Sequence, residues 1–269
     1  MADRLKYKRS IVSNDAIRGQ QQRKKLRRRV FYIFLFIAIN IVFISAAFLM
    51  LLKIKNIAIE GNNRYSADDI LNSLSVSVGE NIYKYKANDI ETEIKAALPY
   101  IADVEVRRKL PSTLELAVEE KAPAMYMAVG NEYFILSSDL LVLEMTDNGN
   151  KTAGLTKLIP GNLKRCIVGE YVKFSDISSF DVLNTLQSNI EAQFGKGVIV
   201  EIDLSARFDI WLRYKDNYSV FVGNIDDCEL KMKFLKKIIE QLGSDKTGRI
   251  DISNAAKGAF KEGDLIKTT

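Results

Sequence analysis

Histidine is absent from this chain of 269 residues, and cysteine occurs only twice, as Cys166 and Cys228. Histidine is the commonest general base, the usual activator of a nucleophile and the commonest zinc ligand, so its absence removes many classes of enzyme and metal site at once. The two cysteines are expected to be buried as small apolar side chains. A disulfide between them is the alternative if the domain lies outside the cell.

Catalytic sequence patterns are lacking as well. The chain has no glycine-rich phosphate loop, GxSxG elbow, CxxC pair or metal-spaced cluster. The carboxylate pairs Asp68/Asp69 and Glu119/Glu120 fit a helix start and a strand end better than a catalytic dyad. We therefore predict a protein that is not an enzyme and that uses no metal or cofactor.

Positive charge is concentrated at the N-terminus. Residues 1–29 hold eleven basic and two acidic side chains, whereas the chain from Val30 onward holds 28 basic and 32 acidic ones. The larger part is thus mildly acidic and gives no reason to expect a nucleic-acid surface. For the basic tail we rank adhesion to an anionic membrane first, DNA binding second and docking of a cytoplasmic protein third.

An uncharged apolar run extends from Val30 to Leu52. As a helix it would span about 34 Å, enough to cross a bilayer. The excess of positive charge before it places residues 1–29 in the cytoplasm and everything after Leu52 outside. A cleaved signal peptide is the alternative, but the run is longer than a signal h-region. We predict an uncleaved single-pass anchor at residues 30–52.

The first external stretch, residues 53–122, predicts a β-α-α-β-β module. Alternating isoleucines precede Gly61, Ser66 begins a capping box, and a second helix stops at Pro99. A hairpin then turns at Leu110-Pro111. Residues 123–254 predict a strand-rich domain with two helices, and residues 255–269 predict a polar tail. One helix runs from Ser175 to about Phe194, and the other follows Asp226/Asp227 and runs to about Leu242. The fold class is therefore α+β.

Several of these segments resemble the FtsQ/DivIB family of bacterial cell-division proteins. The resemblance is strongest over Ile54–Met127, and it includes the ending in which Tyr218–Gly223 is followed by a helix and by the strand Gly248–Ser253. In that family the first module is a POTRA domain. The matching motif residues here are Gly61, Asn62, Leu98, Pro99, Tyr100, Val106, Arg107 and Pro111.

The resemblance implies a divisome scaffold at the division septum. Such a scaffold binds small coiled-coil membrane proteins of the FtsB/DivIC and FtsL types and helps to organise septal peptidoglycan synthesis. It also implies that the partner adds a strand to the edge of the last β-strand. The partner-binding residues carried over are Arg249, Ile250, Asp251, Ile252 and Ser253, helped by Tyr218, Val220 and Phe221.

Within that set, the backbone edge and Arg249, Asp251 and Ser253 are expected to meet the partner, whereas the side chains of Ile250 and Ile252 are expected to lie in the core. Two other functions stay open. One is a membrane-tethered POTRA chaperone or translocation module that binds extended peptides, and the other is a cell-wall hydrolase or transferase that uses carboxylates.

Overall fold

A computed structural model describes residues 27–48, 50–176, 178–206, 208–243, 246–255, 257–263 and 265. Most of the predicted basic tail, residues 1–26, lies outside the described residues. The first helix, α1, spans Arg27–Phe48, and its apolar window has a mean hydropathy of 2.5. Its amide side chain, Asn40, donates from Nδ2 to Phe36 O at 2.8 Å, so the helix itself provides an acceptor for this donor. Its 22 residues cover about 33 Å.

The first external module has the predicted order of elements. Its strands and helices are β1 (Asn56–Glu60), α2 (Ala67–Asn72), α3 (Ala87–Ala97), β2 (Ile101–Lys109) and β3 (Thr113–Glu120), and its sheet has the order β1-β3-β2. The capping box predicted at Ser66 is present. Asp69 N donates to Ser66 Oγ at 3.1 Å, and Ser66 N donates to Asp69 Oδ2 at 2.9 Å. These two bonds satisfy backbone donors that the first turn of α2 leaves without partners.

The chain forms two compact units. One consists of α1 and the other described residues up to Ala58, together with Val76–Lys86 and Arg107–Glu115. The second contains the remaining described residues, including all of the strand-rich domain.

The strand-rich domain is built on one nine-stranded sheet with the order β14-β13-β12-β11-β10-β7-β4-β5-β6. Its members are β4 (Pro123–Val129), β5 (Glu132–Ser137), β6 (Val142–Thr146), β7 (Thr156–Pro160), β10 (Ile199–Leu204), β11 (Ile210–Tyr214), β12 (Tyr218–Gly223), β13 (Gly248–Asn254) and β14 (Lys257–Glu262). A 3₁₀ turn, Gly149–Thr152, precedes β7, and β8 (Leu163–Arg165) pairs with β9 (Lys173–Phe174) outside this sheet.

Strand β7 joins the two halves of the large sheet and has no counterpart in the sequence-based prediction. It pairs in parallel with β4 on one side and with β10 on the other. Only Leu158 in β7 is fully buried, and Pro160 ends the strand. A short strand with one buried side chain gives little alternation, which explains why the sequence pattern does not indicate it.

Helices α4 (Ser178–Phe194) and α5 (Cys228–Leu242) contribute to a single hydrophobic core with the sheet. Leu183, Leu186 and Ile190 of α4 and Met232 and Leu235 of α5 are buried in it. Their spacing of three to four residues is that of one helix face. The α+β class and the two helices predicted for this domain are confirmed.

Candidate functional site

The residues carried over for partner binding all lie on β12 and β13, near one end of the large sheet. Their side chains alternate between two faces, as strand geometry requires. Tyr218, Val220, Ile250 and Ile252 are at most 1% exposed and belong to the core. They can therefore shape the site only by supporting the strands, as expected for the two isoleucines.

The other four predicted residues, Phe221, Arg249, Asp251 and Ser253, lie on the opposite face of the sheet or at its end. The guanidinium carbon of Arg249 lies 4.6 Å from the ring centroid of Trp211 and 5.5 Å from that of Phe221. The two rings are themselves 4.8 Å apart. Arg249 is thus held in a cation–π stack across three strands.

The side chains at the end of β13 are occupied locally as well. Asp251 Oδ1 accepts hydrogen bonds from Ser253 N at 3.0 Å and from Ser253 Oγ at 2.8 Å. These bonds close a short turn within the strand itself. The exposed polar groups predicted to meet a partner therefore already have partners within the chain.

The prediction that Arg249–Ser253 forms a free sheet edge is wrong. Strand β13 pairs in parallel with β12 and antiparallel with β14, so both of its backbone edges are occupied. The prediction that residues 255–269 are only a polar tail is also wrong, since Lys257–Glu262 forms β14. Five of its six residues are exposed, so it lacks the apolar alternation that marks a strand in a sequence.

Strand β14 lies at one end of the sheet and β6 at the other, and no described strand lies beyond β14. Gly263 N donates to Thr247 O at 3.3 Å, so the backbone N–H of Gly263 points towards the segment that leads into β13. Because backbone groups alternate along an antiparallel strand, Ala259 and Lys261 face β13. The N–H and C=O groups of Gly258, Phe260 and Glu262 consequently face outward.

Helix α5 holds β14 in place through a close approach at Gly258. A Cβ at this position would lie 2.5 Å from Phe234 Cε1 and 2.7 Å from Ile238 Cδ1. Phe260 also packs against the core and lies edge-to-face with Tyr218, at a centroid distance of 6.1 Å. Glycine permits this contact because any larger side chain would push the strand away from the helix.

The other end of α5 is fixed by a buried lysine. Lys231 is 2% exposed. Its Nζ donates to Val222 O at 3.1 Å, Asn224 O at 2.9 Å and Asn224 Oδ1 at 2.8 Å. Burial lowers the pKa of this ammonium group, and the three acceptors satisfy all of its donors. The end of β12 and the start of α5 are thereby joined.

The residues of the POTRA motif lie in or beside turns and in strand β2, and Tyr100 stacks with a guanidinium group. Gly61 has a φ of +85°, and a Cβ there would lie 2.2 Å from Val118 O. Asn62 Nδ2 donates to Tyr65 O at 2.9 Å. Leu98 and Pro99 follow the end of α3, Val106 and Arg107 lie in β2, and Pro111 lies in the β2–β3 turn.

Tyr100 is buried beneath Arg64, whose guanidinium carbon is 3.7 Å from the ring centroid. The Tyr100 hydroxyl donates to Glu144 Oε2 at 3.1 Å, and Arg64 Nη2 donates to the same oxygen at 2.7 Å. Lys151 forms an ion pair with the other carboxylate oxygen. Burial raises the pKa of Tyr100, so this hydroxyl stays protonated as a donor.

The two cysteines are free thiols: Cys228 is buried and Cys166 is partly buried. Burial raises the pKa of each thiol to about 11. Among the described residues no group of three or more acidic or cysteine side chains could hold a metal ion.

The chain is similar in sequence to known cell division proteins. The family described as POTRA domain, FtsQ-type, matches residues 52–121. The cell division protein DivIB of Clostridium acetobutylicum is 30% identical over 202 residues, which cover 75% of this chain and 79% of that protein. The chain belongs to the DivIB/FtsQ family of cell division proteins.

Two further similarities were found. The DivIB of Clostridium botulinum strain Hall is 26% identical over 252 residues, or 93% of this chain and 96% of that protein. The major extracytoplasmic domain of DivIB from Geobacillus stearothermophilus covers 47% of this chain and 99% of that structure, with 13% identity and a TM-score of 0.28. Membership of the DivIB/FtsQ family itself follows from the sequence similarity.

Membership confirms the family resemblance seen in the sequence. DivIB/FtsQ proteins form a family of cell division proteins with a POTRA domain and are not a known enzyme family. Within the described residues, α1 is the one helix long and apolar enough to cross a membrane, and it fits a single-pass anchor that carries an extracytoplasmic domain.

Proposed function

We propose that this DivIB/FtsQ-family protein is a non-enzymatic divisome scaffold that binds small coiled-coil membrane proteins of the FtsB/DivIC and FtsL types. The partner adds a β-strand to the outer edge of β14, and the scaffold helps to organise septal peptidoglycan synthesis at the division site. Its N-terminal tail lies in the cytoplasm, and its POTRA and strand-rich domains lie outside.

The observation that carries this proposal is the exposed edge of β14. Its outward backbone groups form a ready template for another strand, and soluble proteins normally cover or disrupt such edges. Contacts with the rest of the domain nevertheless hold the strand in place, because Gly258 lies against α5 and Phe260 packs on Tyr218. A preformed edge lowers the ordering cost that strand addition must overcome.

The structure also changes which residues should be tested. Deleting residues from Arg249 onward would remove β13, whose Ile250 and Ile252 are fully buried, and would therefore damage the core. A sharper variant changes one outward donor of β14. Glu262 is exposed, and its N–H faces away from β13.

Glu262→Pro removes the outward N–H and leaves the pairing with β13 intact. The matched control, Glu262→Ala, removes the carboxylate but keeps the donor. We expect capture of the co-expressed coiled-coil partners by the full chain to weaken roughly five- to tenfold for Glu262→Pro, the worth of about one main-chain hydrogen bond and its neighbours. Glu262→Ala should bind almost as the natural chain does.

Equal binding by both variants would show that β14 is not the binding edge. Capture of many unrelated extended peptides, in place of one class of partner, would instead favour a chaperone or translocation role. Peptidoglycan turnover by the purified chain would contradict the non-enzymatic assignment.

A further inference from the structure

The external segments of the first compact unit are joined directly to the end of the membrane helix. Leu52 N donates to Phe48 O at 3.2 Å, which continues the last turn of α1. Ile82 N then donates to Leu52 O at 2.8 Å, and Ile54 N donates to Glu80 O at 2.8 Å. Because Leu52 is hydrogen-bonded both to the end of α1 and to Ile82, the segment Val76–Lys86 is held beside the end of α1.

The β2–β3 turn is held at the same place. Lys55 N donates to Ser112 O at 2.8 Å. Arg108 donates from Nε to Ile82 O at 3.1 Å and from Nη2 to Tyr85 O at 2.7 Å. Residues 53–58, Val76–Lys86 and Arg107–Glu115 together therefore form one surface, which we name the membrane-exit patch.

Apolar side chains are exposed on this patch. Val78 is 65% exposed, Tyr83 56% and Leu110 57%. Within the described stretch 52–122 these are the only large hydrophobic side chains that are exposed, and all three belong to the patch. A tyrosine flanked by aliphatic side chains is typical of the interface between hydrocarbon and headgroups.

The patch is also strongly basic. It holds seven basic and two acidic residues, whereas the rest of the chain from Val30 onward holds 21 basic and 30 acidic residues. Both acids are already in ion pairs, Glu80 with Lys84 and Glu115 with Lys109. Lys53, Lys55 and Lys86 of the patch are exposed and add further positive charge.

We propose that the membrane-exit patch is a lipid-binding surface that docks on anionic phospholipid headgroups of the outer leaflet. The lysines and arginines bind the phosphates, and Val78, Tyr83 and Leu110 enter the interfacial layer. The inference goes beyond partner binding at β14 and needs only that α1 spans a membrane. Basic and aromatic residues placed together at the end of a membrane helix favour a lipid over a protein surface.

The test uses the full chain in vesicles of phosphatidylcholine, with or without phosphatidylglycerol, that contain brominated lipid as a quencher. Tyr83→Trp places a reporter in the patch, and the natural chain, which has Trp211 as its single tryptophan, gives the background. Val129→Trp, at an exposed position of the other compact unit, is the control reporter. We expect quenching of Trp at position 83 to exceed that of the control and to rise with phosphatidylglycerol.

A charge variant then tests the headgroup contact. Lys53→Gln, Lys55→Gln and Lys86→Gln combined should cut the phosphatidylglycerol-dependent quenching by about half, because the anionic surface attracts each nearby cation. Equal quenching of the two reporters overturns the proposal. Quenching that does not depend on phosphatidylglycerol overturns the assignment to anionic headgroups. If Trp at position 83 is shielded only when a partner protein is co-reconstituted, the patch is a protein contact and the proposal is overturned.

Discussion

Gly61 shows how one residue fixes a turn of the POTRA domain. Its φ of +85° lies in the left-handed region, and its missing Cβ leaves room for Val118 O. Gly79 has a similar φ of +95°, but nothing lies within 4 Å of the Cβ position. A side chain at Gly79 would therefore add backbone strain alone, whereas a side chain at Gly61 would add backbone strain and a steric clash.

We expect Gly61→Ala to lower the free energy of unfolding by at least about 2 kcal/mol, because it adds a clash to the left-handed strain. Gly79→Ala should cost only about 1 kcal/mol, since it adds strain alone. Urea unfolding of the detergent-solubilised full chain, followed by circular dichroism, measures both. Equal losses would mean that the backbone at Gly61 moves away from Val118 without cost.

At the scale of elements, the end of the large sheet depends on the contact between α5 and β14. Gly258 faces Phe234 and Ile238 of α5, whereas its neighbour Ala259 faces away from this contact and is exposed. Adjacent strand residues point to opposite faces. The same substitution at the two positions should therefore have different effects.

Gly258→Val places methyl groups where Phe234 and Ile238 now lie, so we expect β14 to separate from α5 while β12 and β13 stay paired. Hydrogen exchange should then speed up in Lys257–Glu262 and change little in Tyr218–Gly223. Ala259→Val should leave exchange unchanged, since valine suits a strand. Unchanged exchange in Gly258→Val would show that α5 yields instead of β14.

At the scale of the whole molecule, the carboxylate of Glu144 accepts hydrogen bonds from residues that are distant in sequence. Arg64, Tyr100 and Lys151 all donate to its carboxylate. Burial alone would raise the pKa of Glu144, but the hydrogen bonds from Lys151 and Tyr100 and the nearby charges outweigh burial, so the pKa is lowered. The ionised form is thus favoured by the folded state.

A lowered pKa means that the unfolded chain binds the proton more tightly than the folded chain. The stability from Glu144 is therefore present above its ordinary pKa of 4.5 and is lost as the pH falls through the lower folded value. We expect Glu144→Gln to be less stable than the natural chain at neutral pH, with a difference that shrinks below pH 4.5. Urea unfolding over a pH series measures this. A stability difference that does not change with pH would contradict the lowered pKa of Glu144 in the folded state. The control is Glu132→Gln, at an exposed position of β5.

Sequence patterns determined the apolar N-terminal helix, the β-α-α-β-β order and the helices of the strand-rich domain. Each depends on local chemistry: a long uncharged run in α1, the capping box at Ser66, and apolar residues at helical spacing in α5. The stretch Ile54–Met127, which includes the motif around Pro99 and Pro111, and the ending from Tyr218 to Ser253 indicated the family. The residues that define each of these features lie close together in sequence, so one segment alone is enough to predict the feature.

Only the tertiary structure decided where the sheet ends. Strands β7 and β14 carry few buried side chains, so their own residues do not mark them as strands. The partners of β7, strands β4 and β10, also lie far from it in sequence. At this end of the sheet the terminal strand of the described residues is therefore Lys257–Glu262 and not Arg249–Ser253. Likewise, the membrane-exit patch joins three stretches that are distant in sequence, because backbone hydrogen bonds between those stretches bring them together at the end of α1.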